Sequence, residues 1–109
     1  MNTNTHELFN TVSHEHLDDF ILFVTGKYPD SCLGLVECKN GLWFIEQDFG
    51  NAFDSMTSIS RPKIFPYNEP KFFKNRSDAF DYALNVLIQH YKITNQNKID
   101  EYLKLNQED

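Results

Sequence analysis

The chain has 109 residues with 16 acidic against 10 basic side chains, a formal charge of -6, and 40% hydrophobic residues including 10 Phe, 5 Tyr and 1 Trp. That length suits one core and excludes two independent domains, while the aromatic content excludes disorder over most of the chain. No apolar run reaches the roughly 18 residues that cross a bilayer, and the opening Met-Asn-Thr-Asn-Thr-His-Glu lacks the basic region of a signal peptide, so a cytoplasmic protein in one α+β domain over 1–109 is expected.

Residues 1–7 are polar and aperiodic and are expected to fray, as are residues from about 105 to 109. Leu8, Phe9 and Val12 fall at helical spacing, and Ser13 suits an N-cap because its hydroxyl can accept from amides one turn on. Leu17, Phe20, Ile21 and Val24 then follow the i, i+3, i+4, i+7 pattern, and Gly26 suits the stop. These signals predict a helix over about 14–25, with a strand over Phe20–Thr25 as the competing reading.

Tyr28-Pro29-Asp30-Ser31 is a turn cluster, and Asn40-Gly41 between two apolar runs predicts a hairpin over 32–49 with a two-residue type I′ turn. That turn pairs Cys38 with Trp43, Val36 with Ile45 and Gly34 with Gln47. One face then carries Cys32, Gly34, Val36, Cys38, Trp43, Ile45 and Phe49, with Gln47 its one strongly polar side chain, and is read as the core. The other carries Lys39, Glu37, Glu46 and Asp48 among Leu33, Leu35, Leu42 and Phe44, a mixed acidic and apolar outer face.

Residues 50–60 fit no period. Pro62, Pro66 and Pro70 forbid a helix interior and confine strands to edges, for which Ile64-Phe65 and Lys71–Lys74 are the candidates. Ser77 is read as the cap of a helix over about 78–92, whose stripe is Phe80, Ala83, Leu84, Leu87, Ile88 and Tyr91. Ile99, Tyr102 and Leu103 suggest a short third helix, helped by an Asp100 to Lys104 pair. The result is a small antiparallel sheet with amphipathic helices on one face.

Metal and catalytic signatures are weak. His6, His14, His16 and His90 follow no zinc spacing, and on a helix His14 and His16 diverge by about 200°. Cys32 and Cys38, too few for a disulfide scaffold and without CxxC spacing, are read as reduced packing residues, and six residues of strand, about 20 Å, keep them from chelating together. His14 and Asp18 at i, i+4 are read as a surface pair. There is no nucleophile elbow, P-loop or dinucleotide fingerprint, so neither a metal nor a cofactor is expected.

The charge is segregated along the chain. Residues 1–60 hold nine acids and two bases, 61–76 hold one acid and five bases, and 77–109 hold six acids and three bases, giving -7, +4 and -3. Two surfaces compete as the working site. The acidic hairpin face, Glu37, Phe44, Glu46 and Asp48 with Asp18 and Asp19 beside it, fits a non-enzymatic module that covers a basic surface of a protein partner: an inhibitor, immunity protein or antitoxin. The basic and aromatic stretch, with Arg61, Lys63, Tyr67, Lys71 and Lys74, fits a nucleic-acid accessory protein, against the repulsion of the acidic flanks. A third reading is a small ligand-binding fold with a pocket between helix and sheet. The 11 Asn, and 8 Lys against 2 Arg, point to an AT-rich bacterial or phage gene. Monomer and homodimer are both left open.

Overall fold

The computed structural model describes residues 10–61 and 69–106. It is an α+β protein: strands β1 (Thr11–His16), β2 (Cys32–Cys38) and β3 (Trp43–Phe49), with helices α1 (Asp18–Thr25), α2 (Arg76–His90) and α3 (Gln96–Leu105). The strands form one antiparallel sheet in the order β1-β2-β3. Among the described residues no helix is long and apolar enough to cross a membrane. The expected fraying over 1–7 and at 107–109 lies outside the described residues, as do Leu8, Phe9 and the Ile64-Phe65 strand candidate. Leu105, expected in the frayed end, closes α3.

The helix expected over about 14–25 begins only at Asp18, and His14, Glu15 and His16 are strand. Apolar spacing starts at Leu17, and the polar residues before it find partners on β2. The Ser13 hydroxyl donates to Glu37 Oε1 at 2.9 Å, and the Leu17 amide donates to the Leu33 carbonyl at 3.1 Å. Long-range pairing therefore outcompetes a helical turn in which Ser13 would have been the cap. No side chain caps α1; Asp18 and Asp19 in its first turn offset the exposed amides electrostatically. Gly26 ends the helix in the left-handed region, at φ 76°.

The hairpin over 32–49 forms with a register one residue from the expected one: Glu37 lies opposite Trp43, Val36 opposite Phe44, Leu35 opposite Ile45 and Gly34 opposite Glu46. A type I′ turn needs positive φ at both central residues, but only Gly41 adopts it, at φ 90°. The Gly41 amide bonds the Cys38 carbonyl at 2.9 Å, and the Asn40 side chain accepts from the Leu42 amide at 3.0 Å. The turn is thus a three-residue loop closed by one left-handed glycine.

A one-residue slip exchanges the faces of a strand. Leu33 and Leu35, expected outside, are core residues under the helices with Ile45, while Val36, Cys38 and Phe44 form a smaller cluster on the other side against Phe72. Phe44, expected at an exposed site, is 0% exposed. The mixed acidic and apolar outer face does not exist as drawn.

Helix α2 starts two residues before the expected 78, because Asn75 rather than Ser77 is the cap, its side chain accepting from the Asp78 amide at 2.9 Å. It ends at His90 and buries Ala79, Phe80, Ala83, Leu84 and Leu87 against β2 and β3. Helix α3 packs on α1. Tyr102 meets Phe20 edge-on with ring centroids 4.9 Å apart, and its hydroxyl donates to Asp19 at 3.1 Å. Asp100 accepts from Gln96 at 2.8 Å, the place expected for its pair with Lys104.

Residues 50–60 make neither helix nor strand, and one buried side chain explains how they stay ordered. Gln47 accepts from the Phe53 amide at 2.8 Å and donates to Asp54 at 2.6 Å, supplying partners that a ladder would otherwise provide. Ser31 accepts from the Asn51 and Ala52 amides at 3.1 and 3.2 Å. The outer edge of β3 is closed by Ser60, bonded to Ile45 and Gln47, and by Phe73, bonded to Trp43. Phe73 is therefore one bridging residue of the strand expected over Lys71–Lys74.

Gly50 joins these contacts at φ 79°, where an added Cβ would lie 2.0 Å from Ser31 Oγ and 2.5 Å from the Asp30 carbonyl. Gly41, also left-handed, has open space around the same position. Gly41→Ala should cost about 1 kcal/mol from the backbone alone. Gly50→Ala should cost about 2 kcal/mol or more because overlap adds to it. Urea midpoints of the two variants check this, and equal losses would contradict the packing at Gly50.

Candidate functional site

The site is built where β1 and β3 approach each other over the middle strand. His16 lies opposite Gly34, and Gly34 opposite Glu46. Asp48 is the extra residue of a bulge, since Cys32 pairs with Phe49 and Leu33 with Gln47. The position of a Cβ on Gly34 would be 3.9 Å from the Asp48 side chain and 3.0 Å from the Glu15 carbonyl. With no side chain there, the His16 ring reaches across and its Nδ1 bonds the Asp48 carboxylate.

Two further residues complete the surface. Asp18, in the first turn of α1, accepts from the Tyr28 hydroxyl at 2.7 Å. Tyr28 is 62% exposed and lies flat against Phe49, with centroids 5.8 Å apart and ring planes within 2°. The result is a stacked aromatic pair bordered by Asp18 and Asp48, with the buried Glu46 on the His16 side of the sheet.

The charges act on one another. The hydrogen bond to Asp48 holds the His16 pKa above its ordinary 6.5, partial burial opposes this, and the charges of Asp48, Asp18 and Glu46 reinforce it. The hydrogen bond to Asp18 raises the Tyr28 phenol, so it remains a neutral donor. Burial pushes the Cys32 thiol up to about 12, which keeps it a protonated packing residue.

The structure separates the acidic residues grouped from sequence. Glu46, Asp48 and Asp18 surround His16. Glu37 lies on the helix side of the sheet, opposite both Ser13 and Trp43. Phe44 is interior, and Asp19 ties α1 to Tyr102 of α3. His14 is in β1, so the expected helical pair with Asp18 does not form, and it is His16 that faces Asp18. On the strand His14 and His16 share a face, with ring centroids 5.0 Å apart rather than turned away from each other. Among the described residues no group of three or more His, Cys, Asp or Glu could hold a metal ion. The cysteines fall in different clusters, Cys32 in the main core and Cys38 in the smaller one.

No protein family, curated protein or solved structure matches this chain.

The basic stretch is engaged by the protein itself. Arg61 donates to the Asp54 carbonyl at 3.0 Å, and Lys71 lies 5.3 Å from the centroids of both Phe73 and Tyr82. Arg76 forms a two-pronged pair with Glu15, at 2.7 and 2.8 Å, and stacks over Phe80. Phe73 is buried, Lys74 is exposed, and Lys63 and Tyr67 lie outside the described residues. A groove of about 840 Å³ runs between α2 and α3, past Arg76, Phe80, Asp81, Asp100 and Lys104. It lies between helices rather than between helix and sheet, and its lining alternates in sign.

Sequence reasoning missed Tyr28, Phe49 and His16 as members of one surface. The Tyr28-Pro29 turn was the local signal for an aromatic side chain held outward. The bulge that brings Asp48 to His16 had no local signature.

His16 yields a prediction with a definite sign. A raised folded-state pKa contributes stability that is fully present below about pH 6.5, the unfolded value, and is lost as pH rises through the folded one. Nuclear magnetic resonance titration should place the His16 midpoint above 6.5, and Asp48→Asn should lower it. The same substitution should flatten urea stability between that pH and the His16 midpoint. A wild-type midpoint at or below 6.5 would contradict the pairing.

Proposed function

We propose that the protein is a cytoplasmic, non-enzymatic binding module of the inhibitor, immunity-protein or antitoxin kind, which covers a basic surface of a protein partner. The observation that carries this reading is the exposed Tyr28 ring stacked on Phe49 between Asp18 and Asp48. Aromatic anchors rich in contact area and short of rotamers are the commonest hot spots of protein interfaces. A flat π face next to carboxylates suits the guanidinium of Arg, which can stack and pair in one place.

The electrostatics support the same partner. The net charge of -6 favours encounter with a cationic surface, and the basic residues described above are largely turned onto the protein's own rings and acceptors. The nucleic-acid reading has less support, because Phe73 is buried and Arg76 is paired with Glu15.

Two substitutions separate steering from anchoring. Asp18→Lys with Asp48→Lys should slow association with a cationic protein partner by about tenfold at low ionic strength, with a smaller effect as salt screens the field. Tyr28→Ala should instead speed dissociation, by about tenfold for a loss near 1.4 kcal/mol. Surface plasmon resonance across a salt series distinguishes the two, and unchanged kinetics in both variants would remove the assignment to this surface.

A further inference from the structure

The surface just assigned contains a competitor for its own carboxylate. His16 bonds Asp48 from the end of β1, and the charged or titratable groups facing it among the described residues come from three elements. Asp48 and Glu46 come from β3, Asp18 from α1, and His14 from the same face of β1, while β2 presents only Gly34 at this point. The Asp48 side chain is 16% exposed and the His16 side chain 53%. Asp48 thus has little accepting surface to spare, whereas the imidazole has solvent into which it can turn.

We propose that His16 is a proton-operated competitor of the partner's cationic group for Asp48, holding the carboxylate when protonated and yielding it when neutral. The inference rests on the binding surface proposed above and adds its regulation. An imidazolium and a guanidinium cannot both take the accessible lone pairs of one half-buried carboxylate, and their like charges repel at contact distance. A neutral imidazole carries no charge to oppose the incoming cation, and Asp48 then joins Asp18 as an acceptor. Binding is therefore coupled to release of a proton from His16. In the limit of full exclusion the dissociation constant rises about tenfold for each pH unit below the His16 midpoint, the usual consequence of one linked proton. Because His16 titrates above 6.5, this dependence begins clear of the ordinary carboxylate range.

The test uses the full chain and a short synthetic peptide of alternating Arg and Ser, titrated calorimetrically at low ionic strength. Measurements at about pH 6 and about pH 8.5 keep ordinary carboxylates ionised throughout. The peptide should bind about fourfold or more tightly at the higher pH, and binding at the lower pH should show net proton release as a dependence of the heat on buffer ionisation enthalpy. His16→Gln should bring the ratio of dissociation constants at the two pH values to within about twofold, and Asp48→Asn, which keeps the side-chain shape, should do the same. If either variant retains the full ratio, the competitor role is overturned while the binding surface stands. If the wild type binds the peptide no better than the Asp18→Lys, Asp48→Lys variant at both pH values, the surface itself is wrong and the competitor role falls with it.

Discussion

The pairing of β2 with its two neighbours is the constraint on which the other features depend, and it is set at the hairpin by one backbone conformation. Gly41 is left-handed and Asn40 is not, so the loop holds three residues and Cys38 faces Leu42. From that offset Leu33 and Leu35 enter the main core, Val36 and Phe44 are buried in the smaller cluster, and Gly34 is centred between His16 and Glu46. Because side chains alternate along a strand, an odd shift of β2 would take Leu33 and Leu35 out of the main core and put Gly34 and Val36 in their place. The larger apolar side chains and the turn geometry thus select the same register.

With the sheet in place, buried polar side chains do work that regular structure does elsewhere. Gln47 and Ser31 bind the amides of the aperiodic segment after β3, and Tyr91 reaches from the end of α2 to both backbone groups of Ser31. An unsatisfied buried amide costs about 1 to 3 kcal/mol, so these contacts decide whether residues 50–60 are held at all. Their order in turn lets Ser60 close the outer edge of β3.

Charge segregation along the chain becomes a different segregation in space. Arg76 crosses to Glu15, Lys71 covers the Phe73 and Tyr82 rings, and Lys98 covers Phe23. The cations serve the fold, while Asp18 and Asp48 border the exposed Tyr28 ring. A histidine bonded within such an acidic border makes its charge depend on pH, and this links the electrostatics of the proposed surface to proton concentration.

Local chemistry in the sequence was enough to determine the α+β class, the hairpin, the Gly26 stop, most of the α2 stripe, and the acidic character of the protein, since each depends on a short-range period, a turn dipeptide or a count. The sequence also contained the acidic residues of the candidate site, but not their arrangement. Tertiary structure alone decided that His14–His16 are strand, that Phe44 is interior, that Glu37 is parted from Glu46 and Asp48, and that His16 meets Asp48 beside Tyr28 and Phe49. The reason is physical. A strand gains its hydrogen bonds from residues distant in the chain, so its existence, register and bulges are settled by pairing energies that no local window contains.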